Sequence, residues 1–111
     1  MDEAELGIVQ LSVSDHSQIG SLQRYQELTA PETRISRVAG QPQPGEQGAL
    51  DILAVLASSG GLVAAIKTLP EFLRSRRSKF SVSVKVNDEE FKLTAENVND
   101  VLPILERILD R

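Results

Sequence analysis

Asp15, His16 and Ser17 stand in a row and supply the three residue types of a hydrolytic triad. A proton relay needs nucleophile, base and orienting acid to converge from separate positions, and consecutive side chains point apart. The trio therefore reads as a turn into a helix cap. His16 is the only histidine and cysteine is absent, which removes the two-histidine metal motifs, thiolate metal sites, a thiol nucleophile and any disulfide framework. Asp88, Glu89 and Glu90 form an acidic run. General acid–base work needs carboxylates held in a pocket, whereas a turn is solvated, and the spacing fits no ion-binding loop. Neither the P-loop nor the dinucleotide-binding glycine pattern occurs. No catalytic residue, metal ligand or cofactor site is assigned, no cofactor is expected, and the chain reads as a non-enzyme.

Two other stretches carry possible binding chemistry. Arg74, Arg76, Arg77 and Lys79 form the one basic cluster, and residues 67–79 hold five basic groups against one acid. The plain reading is a charged helix end, where cations complement the dipole. The functional readings are an acidic protein partner, an anionic membrane surface or nucleic acid. Nucleic acid is the weakest of them, because the net charge is −4 and no aromatic is interleaved for base stacking. Residues 49–66 contain a single charge, Asp51, and are rich in Ala, Leu, Val, Ser and Gly. Period-2 alternation is missing, so the run predicts a long apolar central helix, buried or self-associating. Gly60 and Gly61 would let another backbone come close. The alternative is membrane insertion of 49–66, since the run just reaches spanning length and is followed by cations. Asp51, Ser58, Ser59 and the two glycines weigh against spanning.

The remaining elements must position these groups. Ile8 to Val13 alternates as a strand, and Ile19, Leu22, Tyr25 and Leu28 recur every third residue as a short amphipathic helix. Ala30-Pro31 stops that helix, and Thr33 to Val38 is a second, weaker strand. Residues 39–48 hold three Gly and two Pro and predict a loop. Thr68 and Glu71 flank Pro70 in a capping-box pattern, which predicts a helix restart near Thr68. Phe80 to Val86 and Phe91 to Leu93 form a hairpin about Asn87-Asp88. Asn97 and Asp100 are candidate caps for a last helix whose stripe is Val98, Val101, Leu102, Leu105, Ile108 and Leu109, starting near Asn99 because of Pro103.

At 111 residues with 41% hydrophobic and 25% charged side chains, the chain predicts one α+β domain over 1–111. The expected order is strand, helix, strand, helix, strand, strand, helix, with a roughly four-stranded sheet around the long apolar helix. Met1 to Glu5 is acidic, unlike the basic start of a signal peptide. The expected location is the cytoplasm, with membrane association as the second reading.

Residues 48–100 resemble the effector-associated constant component proteins of bacterial conflict systems. The resemblance lies in Gly48-Ala49-Leu50, the small-residue apolar stretch Leu53 to Ile66, Arg74 to Arg77, the Val82 to Leu93 hairpin and the apolar Val101 to Leu109. The opening strand and the Pro/Gly linker extend it over nearly the whole chain. It implies a non-enzymatic adaptor encoded beside variable effectors, such as trypsin-like or caspase-like proteases or TIR-type domains, acting in defence against phage. The implied partner is an effector or sensor protein encoded nearby; the Gly60-Gly61 pair adds a second copy of the chain as a further expected partner. The family brings no catalytic residues. Gly60, Gly61, Arg74, Arg76, Arg77 and Lys79 are the candidate interaction residues.

Overall fold

A computed structural model describes residues 7–39, 51–76 and 79–109. The elements run β1 (Gly7–Val13), a 3-10 turn (His16–Gln18), α1 (Ile19–Thr29), β2 (Arg34–Ala39), β3 (Asp51–Ala57), α2 (Ser59–Lys67), α3 (Leu69–Arg74), β4 (Ser81–Val86), β5 (Glu89–Thr94) and α4 (Val98–Leu109). The strands form one antiparallel sheet in the order β2-β3-β1-β4-β5. Val9, Leu11, Leu53, Val55, Val82, Val84 and Leu93 are buried together with Leu22, Ile66, Leu69, Phe72 and Leu105 from the helices. The intervening strand residues, among them Ile8, Gln10, Ala54, Leu56 and Lys85, are half-buried or exposed. The architecture is therefore α+β, with helices packed over one sheet face.

The long apolar helix does not form, and the sheet has five strands rather than four. Asp51–Ala57 is strand β3, lying between β2 and β1. Leu53, Val55 and Ala57 are buried under the helices, while Ile52, Ala54 and Leu56 are half-buried on the other face. Both faces of β3 are apolar, the second being Ile52, Ala54 and Leu56, so its period-2 signature disappears. Ser58 then breaks the run. Its backbone is extended, its hydroxyl accepts the Gly61 N–H at 3.4 Å, and its carbonyl accepts the Leu62 N–H at 2.9 Å. α2 begins there, and among the described residues no helix is long and apolar enough to cross a membrane. Residues 49 and 50, and most of the 39–48 loop, lie outside the described residues.

In α1 the buried face is Ile19, Leu22 and Gln26, and Leu28 is 75% exposed. A spacing of three loses about 60° per step on a helix of 3.6 residues per turn, so Leu28 has drifted to the side opposite Ile19. Gln26 comes back onto Ile19's face. Its Nε2 donates to the Thr68 hydroxyl at 2.8 Å and the Ala65 carbonyl at 3.3 Å. Tyr25 donates from its phenol to the Thr68 carbonyl at 3.0 Å. Burial first, and the Glu71 carboxylate second, raise the Tyr25 pKa above its ordinary value. Thr68 is thus the joint between α2 and α3, at the expected restart. No capping box closes there, because its hydroxyl donates back to the Ala65 carbonyl at 2.6 Å.

The hairpin turn has Asn87 at φ 52° and Asp88 at φ 71°. Two left-handed residues between Val86 and Glu89 match the right-handed twist of the strands, and Asn and Asp tolerate that conformation better than other side chains. α4 starts at Val98, one residue ahead of expectation, and buries Val98, Leu102 and Leu105. The Asn97 carbonyl accepts the Asp100 and Val101 N–H groups. Its side chain turns the other way, towards β5.

Candidate functional site: a basic cleft beside an aromatic column

The basic cluster sits where α3 ends and the chain turns into β4. Arg74 is in the last turn of α3 and exposed. Arg76 follows Ser75, whose hydroxyl closes the helix by donating to the Phe72 carbonyl at 2.7 Å. Lys79 precedes Phe80, and Arg77 lies outside the described residues. A cleft of about 510 Å³ opens here, lined by Ser14, Asp15, Gln18, Ser75, Arg76, Lys79 and Phe80.

The cleft is held from beneath by aromatic packing. Tyr25 and Phe72 have ring centroids 5.2 Å apart, and Phe72 meets Phe80 edge-on at 5.8 Å. The Arg76 guanidinium carbon lies 4.2 Å from the Phe72 centroid. Such a cation–π contact contributes about 0.5–2 kcal/mol and fixes the plane of the guanidinium. Arg76 Nε is buried and has no hydrogen-bond partner among the described residues. Across the cleft, Asp15 is engaged locally: Oδ1 accepts the Ser17 hydroxyl at 2.7 Å and the Ser17 N–H at 3.2 Å. As expected, Asp15 caps a turn, here the 3-10 turn that leads into α1.

This arrangement suits binding of an anionic group by Arg76 and Lys79. Among the described residues no three His, Asp or Glu side chains gather to hold a metal ion. Asp88, Glu89 and Glu90 are exposed on the hairpin and do not line this cleft. The two glycines part company. A Cβ at Gly61 would lie 2.8 Å from Ala57 Cβ and 3.9 Å from the Glu32 carbonyl oxygen, so Gly61 serves packing within the chain. A Cβ at Gly60 would meet nothing within 4 Å. Sequence reading missed Ser14, Gln18 and Phe80 as partners of the cluster, since only the β1–β4 pairing brings the end of β1 beside the start of β4.

The family model described as Effector Associated Constant Component 1 matches residues 14–110. The chain belongs to that family. The match takes in every element of this Effector Associated Constant Component 1 fold except β1, and it includes the cleft, α3 and both β4 and β5. The family description makes the chain an effector-associated component of a conflict system, as the sequence resemblance implied. No curated protein and no solved structure matches the chain.

Proposed function

We propose that the chain is a single-domain, non-enzymatic adaptor of the bacterial cytoplasm. It couples to a variable effector of protease or TIR type in anti-phage defence. Its docking site is the corner formed by Arg74, Arg76 and Lys79. One observation carries the reading. Arg76 is fixed over Phe72 at a cleft mouth with a buried Nε that has no partner among the described residues. A guanidinium held in one plane by stacking and partly withdrawn from water is pre-organised for charge-assisted pairing with a carboxylate.

The test is co-expression with the effector encoded beside the chain. Arg76→Glu with Lys79→Glu should abolish co-purification while the isolated chain stays folded, its stability lowered by no more than the lost Arg76–Phe72 contact, about 0.5–2 kcal/mol. Undiminished co-purification would remove the cleft from the docking surface. Catalytic turnover that survives rigorous purification of the chain alone would remove the adaptor reading itself.

A further inference from the structure

We infer that β2 is a second docking edge, which accepts an extended, acidic strand from another protein. This deepens the adaptor reading and rests on it, since a coupling component needs a surface for each of two partners. Among the described residues β2 ends the sheet on one side and β5 on the other. An edge strand directs the N–H and C=O of alternate residues outward, and an added strand pairs with them.

The two edges are not equivalent. At β5, the Thr94 N–H donates to Asn97 Oδ1 at 2.8 Å, and Asn97 Nδ2 donates to the Lys92 carbonyl at 3.0 Å. One carboxamide thereby stands in for a peptide group of a sixth strand and closes that stretch of edge. At β2 the contacts that stand out are charges. The strand carries Arg34 and Arg37 and no acid. Arg37 shares a groove of about 480 Å³ with Arg24 of α1. Gly20 leaves the room that the Arg37 guanidinium fills, since a Cβ there would be 3.2 Å from Nη2. The Glu27 carboxylate in the same groove is engaged by Gln23 Nε2 at 3.3 Å. Residues 1–48 contain only three basic side chains, Arg24, Arg34 and Arg37, and all three lie on β2 or on the helix beside it.

Charge decides the occupant. Two β2 edges would bring four arginines, Arg34 and Arg37 of each copy, along one short seam, and like charges close across a strand pair destabilise it. Pairing of β2 with a second copy's β5 meets the Asn97 plug. An acidic strand suits the edge, with alternate glutamates entering the Arg24–Arg37 groove and the intervening apolar residues lying beside Val38, which is 39% exposed on the other face.

The probe is a peptide of about eight residues alternating glutamate and valine, fused to a soluble carrier, the length being that of a typical added strand. In a titration followed by amide NMR, shifts should concentrate in Arg34–Ala39, and binding should weaken as salt rises. Arg37→Glu should weaken binding roughly tenfold or more, while Arg34→Glu, on the other face of β2, should weaken it less. A lysine–valine peptide and a peptide N-methylated at alternate residues should not bind. Shifts confined to the Arg76 cleft, binding indifferent to N-methylation, or protection from exchange in the free chain of the β2 amides that point away from β3 would overturn the inference. So would concentration-dependent dimerisation through β2. Effector co-purification through the cleft should persist in Arg37→Glu, which separates failure at this edge from failure of the adaptor reading.

Discussion

The two ends of the sheet show opposite treatments of the same exposed backbone. A short turn joins β5 to α4, and the residue just before α4, Asn97, folds its side chain back onto β5. β2 has no such plug among the described residues and presents arginines instead. One edge is finished by hydrogen bonding and belongs to the stability of the chain. The other carries charge, which disfavours copies of itself, and among the described residues no side chain plugs its backbone. A charge guard is selective where a hydrogen-bonded plug is not, because a partner of the opposite sign passes it.

The largest expected effect strikes the β2 side at its support. Gly61 lets α2 lie against Ala57, the last residue of β3, and near the Glu32 carbonyl that leads into β2. Gly61→Leu should lower stability by about 1–3 kcal/mol through overpacking, read by chemical denaturation. Its neighbour is the control. Gly60→Ala meets open space and should stabilise by up to about 1 kcal/mol, because alanine loses less backbone freedom in a helix. Equal effects at both positions would show that packing does not distinguish them.

Next is the plug itself. Asn97→Ala removes two hydrogen bonds to β5 and should lower stability by about 1–2 kcal/mol. It should also give the chain a second open edge, visible as self-association in light scattering. Loss of stability without self-association would mean that the Glu89 and Glu90 charges guard β5 by themselves.

Tyr25 tests how α1 is held beside β2. Its folded pKa is raised, so the neutral phenol is the form the fold prefers. The stability it contributes is fully present below its unfolded value near 10 and is lost as pH rises through the higher folded value. Tyr25→Phe should flatten the alkaline arm of a stability-against-pH curve and leave the neutral region with only the loss of the bond to Thr68. An unchanged alkaline arm would assign that arm to other groups.

The smallest effect is the most discriminating. Arg34→Glu with Arg37→Glu should change stability by no more than about 0.5 kcal/mol, since exposed charges contribute little to folding. A larger loss would make these arginines structural and remove the contrast between the edges.

The hairpin, the last helix and the restart at Thr68 were legible in the sequence because each is written in local terms: alternation, a three-and-four stripe, a proline in a first turn. β3 was not, because Ile52, Ala54 and Leu56 make its second face apolar as well and erase the alternation that β1 and β4, equally central, retain. Leu28 was placed inside by a spacing that drifts off the helix face, while Gln26 was overlooked because a polar residue on the buried face looks like an error until Thr68 is seen opposite it. The basic cluster could be read as a string of cations. That Arg76 stacks on Phe72 and shares a cleft with Ser14 depends on the pairing of β1 with β4, which no local pattern encodes. The β2 arginines and the role of Asn97 were hidden for the same reason.

β1 is paired with β3 on one side and with β4 on the other. During synthesis this strand leaves the ribosome before both neighbours, which do not exist until Ala57 and then Val86 have been made. Closing such distant pairings is slow, because the chain loses entropy before the contacts repay it. The apolar residues Val9, Leu11 and Val13 must therefore wait in an unpaired chain until the residues through β4 have been translated. Single-molecule force profiles of stalled nascent chains should show one late folding event, after β4 has cleared the exit tunnel, and a cell making this protein quickly would rely on its chaperones to cover β1 until then.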